Sequence, residues 1–207
     1  WNAETNESIV WKIETPKPGF SSPFVWDSRV FLTGSDGQTH STYCYDIETG
    51  NALWAADLKD IPGSPSEPPK VTEDTGHAAP TPACDGRIVV SIFSTGDIGA
   101  FDLDGKRLWA KNLGVPKNPY GYAASPMIDG DLVFIQYDDQ TRGRLIALNA
   151  ASGETVWDIK RDVEVSWATP VIARAAGRRI LLVNGLPLSA AYEPLKGSML
   201  WEAKIMA

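Results

Sequence analysis

One phrase occurs four times along this chain, and each copy ends in tryptophan. The copies are "CYDIETGNALW" at 44–54, "AFDLDGKRLW" at 100–109, "ALNAASGETVW" at 147–157 and "AYEPLKGSMLW" at 191–201. In each copy an Asp, Asn or Glu comes early, and a glycine stands four residues before the tryptophan. A repeat of roughly 40 to 50 residues is typical of an array of supersecondary units, so it constrains the fold more than any single residue does.

Each repeat is predicted to contain four short strands. Ser or Thr followed by Pro precedes the first strand of every unit, at Ser22, Thr81, Ser125 and Thr169. Asp-Gly then lies between short apolar runs in "PACDGRIVVSIF" and "PMIDGDLVFIQY", which is a strong hairpin signal. No amphipathic helix pattern intervenes. Because radially repeated, four-stranded antiparallel units form a β-propeller, the sequence predicts an all-β propeller fold.

The tryptophans and glycines of the repeat are predicted to hold neighbouring units together. Glycine adopts positive φ at no steric cost, and the ring four residues later can pack against the next unit. Burial of one such ring is worth roughly 2–3 kcal/mol. The predicted docking residues are Trp11, Trp54, Trp109, Trp157 and Trp201, with Gly50, Gly105, Gly153 and Gly197.

These motifs resemble the pyrroloquinoline-quinone (PQQ)-type propeller repeat of quinoprotein dehydrogenases and of the outer-membrane assembly lipoprotein. The opening "WNAETNESIVWKIETPKPGFSSPFVWDSRVFLTGS" is similar to PQQ-like propellers of bacterial envelopes, and the resemblance covers essentially the whole chain. It implies a single domain over 1–207, with a leading outer strand at 1–13. The blade units fall at roughly 14–56, 77–111, 121–159 and 165–205.

Such propellers usually have seven or eight blades, so four blades are about half of a ring. We therefore expect an excised or truncated piece of a propeller. The alternatives are two copies that complete one ring, and a small closed propeller. Open propeller edges would favour self-association in either case.

Composition excludes several classes of function. A net charge of −7 and a pI near 4.8 argue against a nucleic-acid partner, which needs clustered Lys and Arg. No apolar run approaches the roughly 18 residues that span a bilayer. Cys44 and Cys84 are predicted to be free, buried thiols, with a disulfide as the alternative. His40 and His77 are the only histidines, and no ligand spacing predicts a metal site.

One face of the propeller is predicted to bind a ligand. The segments before each Ser/Thr-Pro marker enter the innermost strand near the axis, and they share a face with the loops between second and third strands. They offer a set of rings and nearby polar groups: Phe20, His77, Tyr122, Trp167, Asp97, Asp138, Asp139 and Gln140. A planar ligand could stack on these rings. In the alternative interpretation the rings only plug the channel entrance, and His77 is a surface or hydrogen-bonded residue rather than a general base.

An insertion at 57–76, "DLKDIPGSPSEPPKVTEDTG", is rich in proline and acidic residues and interrupts the repeat. We expect it to be extended and to lie across the functional face. A recognition element and a tolerated decoration are equally compatible with its composition.

The sequence favours a non-catalytic PQQ-like propeller that acts as a binding or scaffold module in a bacterial envelope or exported protein. The alternatives are a fragment of a PQQ-dependent alcohol or sugar dehydrogenase and an extracytoplasmic sensor domain. The quinoprotein resemblance would imply PQQ, calcium, an Asp base and an adjacent Cys-Cys disulfide. Because Cys44 and Cys84 are far apart in the sequence, no cofactor is expected, and PQQ with calcium remains the alternative. The expected partner is a protein or a small planar ligand on the propeller face.

Overall fold

Four small antiparallel sheets follow one another along the chain. The computed structural model describes residues 1–2, 4–141 and 143–204. Within these ranges sixteen strands form four sheets, and in each sheet the four strands are adjacent in chain order. Each sheet is one blade. The described residues contain no helix, so the predicted all-β propeller architecture with about four blades is confirmed.

The strand bounds show how regularly the blades repeat. The first blade comprises β1 (Phe24–Trp26), β2 (Arg29–Ser35), β3 (His40–Asp46) and β4 (Ala52–Leu58). The second comprises β5 (Ala83–Cys84), β6 (Ile88–Ile92), β7 (Asp97–Asp102) and β8 (Arg107–Asn112). The third comprises β9 (Met127–Asp129), β10 (Leu132–Gln136), β11 (Gly143–Asn149) and β12 (Thr155–Arg161). The fourth comprises β13 (Val171–Ala175), β14 (Arg178–Asn184), β15 (Leu188–Tyr192) and β16 (Met199–Lys204).

The hydrophobic core lies between the blades rather than inside any one of them. Val90 of the second blade and Ile135 of the third belong to one buried cluster. Phe134 of the third blade and Leu181 of the fourth belong to another. Middle strands such as β6 are therefore buried along their whole length, whereas the outer strand β4 alternates between exposed and more buried positions. One isolated blade could not bury its apolar faces, so blade contacts provide the core.

A tryptophan of each blade is seated on a glycine of the next. The Trp109 ring covers Gly153, where φ is +71° and an added Cβ would lie 2.6 Å from the ring. The indole Nε1 of Trp109 donates a hydrogen bond to the Ala150 carbonyl oxygen at 2.8 Å. Equivalent contacts with an indole-to-carbonyl hydrogen bond join Trp11 to Gly50, Trp54 to Gly105 and Trp157 to Gly197. Only glycine leaves room for the ring at these positions.

Two predictions at the ends of the chain stay predictions. Trp201 is 46% exposed, and no glycine of the described residues lies against its ring. The described part of 1–13 forms no strand, only an isolated bridge between Asn2 and Glu7. A strand needs a hydrogen-bonded neighbour, and no described segment pairs with this one. Trp11 nevertheless takes its predicted place on the first blade.

The inner boundaries also shift slightly. His40 pairs with Leu58 and Ser41 with Asp57, so β4 runs two residues into the predicted insertion at 57–76. The insertion proper therefore begins at Lys59.

Both cysteines are free and buried, as predicted. Cys44 and Cys84 lie in the same apolar cluster with Phe31 and Val89 between the first two blades. Burial raises the pKa of the Cys44 thiol to about 11.

Replacing a seated tryptophan should destabilise the protein far more than replacing the exposed one. We expect Trp109→Ala to lower the free energy of unfolding by about 3–5 kcal/mol, because it empties a buried site and removes a hydrogen bond. Trp201→Ala is the matched control from the same repeat position, and we expect a loss below about 1 kcal/mol. Urea denaturation followed by circular dichroism measures both. Equal losses of unfolding free energy in the two variants would contradict the conclusion that a tryptophan stabilises the fold by packing on a glycine of the next blade.

Candidate functional site

One end of every blade contributes to a common surface, here called the loop face. It consists of the loops between second and third strands, together with the segments between blades. Backbone hydrogen bonds join the two sets, for example from Ser94 N to His77 O and from Gln140 N to Lys117 O. The antiparallel order of the strands places all of these loops at the same end of the sheets.

The insertion crosses this loop face and is fixed to the second and third blades. Ser64 Oγ donates a hydrogen bond to Asp97 Oδ1 at 2.5 Å. Thr72 N donates to the Tyr120 carbonyl oxygen at 2.9 Å. Gly76 lies against the Phe20 ring. Whether the insertion is a recognition element or a tolerated decoration stays a prediction. Its path across the loop face is the one expected from the sequence.

Asp97 is the centre of a polar cluster between the first two blades. Its Oδ1 accepts hydrogen bonds from Ser64 and from Asn112 Nδ2, the latter at 2.7 Å. Its Oδ2 accepts one from Thr95 Oγ1 at 2.8 Å. His40 Nε2 lies 3.5 Å from the same Oδ2. Both carboxylate oxygens therefore have partners, and the cluster ties two blades and the insertion together.

These contacts set the charge state of Asp97. The side chain is 5% exposed, and burial alone would raise its pKa. Hydrogen bonds from His40, Asn112, Ser64 and Thr95 outweigh burial and lower the pKa to about 2. Asp97 is thus a fixed anion, and a general base at neutral pH would need a higher pKa.

Asp138 is the centre of a second polar cluster, between the third and fourth blades. Its Oδ2 accepts hydrogen bonds from Gln136 Nε2 at 2.7 Å and from Ser166 Oγ at 2.8 Å. Arg161 Nη1 donates to the same oxygen and forms an ion pair in which both side chains are at most 1% exposed. Burial raises the pKa of the Asp138 carboxyl, and the Arg161 charge opposes that rise.

This second cluster, unlike the first, leaves buried polar atoms without partners. Among the described residues, Asp138 Oδ1, Gln136 Oε1, and the Nε and Nη2 of Arg161 have no hydrogen-bond partner. Such atoms normally find a partner in a folded protein, because an unpaired buried polar atom costs about 1–3 kcal/mol.

The predicted ring residues do not form one stacking site. Tyr122 is only 1% exposed, packs on the Tyr137 ring and donates a hydrogen bond to the Gln136 carbonyl oxygen at 2.9 Å. It is part of the core between blades, so it cannot stack on a ligand as predicted. His77 is half-buried, and its Nδ1 lies 2.8 Å from Ser94 Oγ, in keeping with the hydrogen-bonded alternative. Burial and the nearby His40 lower the pKa of His77.

Three other rings form an exposed aromatic row on the loop face. Phe20 lies against Gly76, and the backbones of Gly76 and Gly121 are in close contact. Trp167 Nε1 donates a hydrogen bond to the Gly121 carbonyl oxygen at 3.3 Å, and its ring lies 5.6 Å from that of Tyr120. The exposed fractions of this row, Phe20, Tyr120 and Trp167, are 54%, 53% and 40%. Tyr120 was missed by sequence reasoning because it precedes the Ser-Pro marker by more residues than the other rings do.

The loop face has a cleft beside each of its two polar clusters. The main cleft, of about 880 Å³, lies beside the Asp138 cluster and is lined by Lys117, Gln140, Lys160, Arg161 and Val163, among others. A smaller cleft of about 320 Å³ lies beside the Asp97 cluster and is lined in part by the insertion. The loop face therefore offers concave surface at both polar clusters.

The described residues do not fit a calcium-bound quinone cofactor. No group of three His, Cys, Asp or Glu side chains in residues 1–2, 4–141 and 143–204 could hold a metal ion. Both carboxylate oxygens of Asp97 already accept hydrogen bonds, and Asp138 forms an ion pair with Arg161. Asp97 could not ligate a metal without losing its contacts, and the one oxygen of Asp138 without a partner, Oδ1, is not accompanied by two further metal-ligating side chains among the described residues.

Arg161 is the site residue that sequence reasoning missed. It is the last residue of β12, where a charged side chain is normally interpreted as solvated. Comparing the ends of the fourth strands could have indicated it, since Asn112 occupies the same place in β8 and also binds the acid of its blade.

Comparison with known proteins agrees with this architecture. The family profile described as "Outer membrane protein assembly factor BamB" matches residues 1–135 and 43–207, which together cover the whole chain. This chain belongs to that family of PQQ-like propellers. A search of curated protein sequences found no match.

Solved structures with the same fold include BamB and two dehydrogenases. BamB from Moraxella catarrhalis matches with a TM-score of 0.65 and 18% identity, over 96% of this chain and 52% of that one. A europium-containing methanol dehydrogenase matches with a TM-score of 0.68 and 13% identity, over 97% of this chain and 45% of that one. Quinohemoprotein alcohol dehydrogenase from Comamonas testosteroni matches with a TM-score of 0.68 and 17% identity, over 92% of this chain and 35% of that one. The chain thus spans about half or less of these proteins, and the likeness shows the fold.

Loss of the Asp97 charge should change how stability depends on pH. The folded pKa of about 2 lies below the unfolded value of 3.8, so the charge stabilises the fold above pH 4 and this contribution disappears as pH falls towards 2. We expect Asp97→Asn to cost about 2 kcal/mol at pH 7, with a smaller difference from wild type at pH 2. Urea denaturation at both pH values measures this. Asp104→Asn, whose side chain is 89% exposed, is the control. If the difference in unfolding free energy between wild type and Asp97→Asn is the same at both pH values, the lowered pKa assigned to Asp97 is refuted.

Proposed function

We propose that this chain is a non-catalytic propeller module that binds a protein partner through its loop face. The observation that carries the proposal is the aromatic row of Phe20, Tyr120 and Trp167, whose rings are all exposed. Tyr120 and Trp167 are neighbouring rings, and Phe20 is linked to Trp167 through the backbones of Gly76 and Gly121. Exposed aromatic side chains grouped on a firm support are common at protein interfaces.

The polar groups of the loop face support binding over catalysis. Asp97 is held as an anion by its partners on both oxygens. Asp138 is buried against Arg161 and Gln136. A general base needs an oxygen that is free to accept a proton, and Asp97 has partners on both oxygens while the Asp138 carboxylate is held against the Arg161 charge.

The family supports a place in the bacterial envelope. Its description names an outer membrane protein assembly factor, so we propose that the partner is a protein of outer-membrane assembly. In the described part of the chain, no helix is both long and apolar enough to cross a membrane.

A photo-crosslinking experiment tests the proposed surface. With p-benzoyl-phenylalanine at Trp167 or Phe20, we expect irradiated cells to yield a crosslinked protein of outer-membrane assembly, identified by mass spectrometry. The same label at Val156, which is 47% exposed on β12 away from the loop face, is the matched control. Crosslinks only from Val156, or none from the aromatic row, would refute the proposal.

A second candidate is a segment of a PQQ-dependent dehydrogenase, because two structural neighbours carry the name dehydrogenase and align over more than nine-tenths of this chain. Titration of PQQ with Ca²⁺ into the longest natural form of the protein distinguishes the candidates. We expect no saturable change in tryptophan fluorescence, since the described residues do not supply a metal-ligand set. Calcium-dependent binding at micromolar levels would favour the dehydrogenase.

A further inference from the structure

The guanidinium of Arg161 has more donors than its place in the fold uses. Its Nη1 donates to Asp138, whereas its Nε and Nη2 have no partner among the described residues. These two nitrogens lie on the same side of the guanidinium, and their N–H bonds are nearly parallel. The residue is 7% exposed, so the pair of donors is buried at the base of the main cleft.

The second blade shows that the structural role does not require arginine. Asn112 ends β8 as Arg161 ends β12, and its amide binds Asp97 as the Arg161 guanidinium binds Asp138. In the second blade both carboxylate oxygens have partners. The third blade has the larger, charged group and leaves four buried atoms unpaired. Asn112 pairs in register with Asp97 itself, whereas Arg161 pairs with Gly143, so the two acids occupy different places in their blades. The four unpaired atoms of the third blade are of the kind that a ligand would satisfy.

The unpaired atoms define the chemistry of that ligand. Two parallel N–H groups of arginine match the two oxygens of a carboxylate. Asp138 Oδ1 and Gln136 Oε1 are acceptors, so they require an N–H or O–H on the ligand. A carboxylate with a hydroxyl or ammonium group on the adjacent carbon supplies both kinds of partner.

Val163 covers the place where this ligand would sit. Its side chain is half-buried and lines the main cleft. It lies beside Gly143, which adjoins Asp138 Oδ1, and near Gly185, which adjoins Arg161 Nη2. Asp138 Oδ1 and Arg161 Nη2 therefore both lie close to Val163, which lines the cleft. The cleft carries both signs of charge, since Lys117 and Lys160 line it together with Asp139, Asp162 and Glu164.

We propose that Arg161, Asp138 and Gln136 bind a small 2-hydroxy or 2-amino carboxylate that enters from the main cleft. The inference goes beyond the proposed function, because it assigns a small-molecule ligand to buried groups that the aromatic row does not include. It does not depend on a protein partner, so either proposal can fail alone.

The test uses sodium glycolate as the probe and sodium acetate as its match without the hydroxyl group. We expect glycolate to bind saturably in isothermal titration calorimetry, and to shift the Arg161 Nε–Hε resonance in a ¹H–¹⁵N spectrum. Acetate should bind roughly tenfold more weakly, because Asp138 Oδ1 stays unpaired. No saturable shift of the Arg161 resonance with glycolate would overturn the proposal, and this measurement needs no variant.

Variants of Arg161 test whether the two parallel N–H groups of its guanidinium bind the ligand. Arg161→Lys keeps the charge beside Asp138 and removes the parallel donors, so glycolate binding should weaken roughly tenfold to a hundredfold. If the lysine variant does not fold, Arg161→Asn is measured instead, because asparagine is the residue that ends β8 in the second blade. Lys160→Ala is the control for cleft charge and should change binding less than either. Glycolate affinity unchanged in the Arg161 variant would refute the assignment.

Discussion

The contact between an indole ring and a glycine of the next blade is the interaction on which this fold depends. It needs a residue without Cβ at positive φ, a ring at a fixed distance in the preceding blade, and a backbone carbonyl that accepts the indole N–H. The same three requirements recur at each blade junction in the described chain. They set the distance and angle between sheets, and the apolar clusters between blades can form only once those are set.

The loop face shows how one scaffold can serve two purposes. At the first junction an acid, an amide, two hydroxyls and a histidine satisfy one another and close the surface around Asp97. At a later junction an acid and an arginine occupy related places and leave hydrogen-bonding capacity unused. The two clusters differ in backbone as well as in side chains, since Asp97 begins β7 whereas Asp138 lies in the longer loop between β10 and β11. Function on this propeller is therefore expected where the repeat departs from its own pattern.

Local patterns predicted the fold well because the docking motif is short and complete in sequence. Gly153 and Trp157 stand four residues apart, and no distant information is needed to recognise such a unit. The site was harder to predict, since Asp138 meets Arg161 and Ser166 only after the chain has formed two further strands. Tyr122 was assigned to the surface because its segment lies near the axis, but its ring turns between blades and is buried there.

The polarity of the blade contact has a consequence for assembly. Each junction is heterologous, with a ring on one partner and a glycine on the other, and head-to-tail contacts of this type can propagate without limit. In this chain Trp11 already occupies Gly50 of the first blade, while Trp201 is exposed on the fourth. The ring always comes from the segment earlier in the chain and the glycine from the later one, so the direction of the contact fixes the order in which successive blades follow one another.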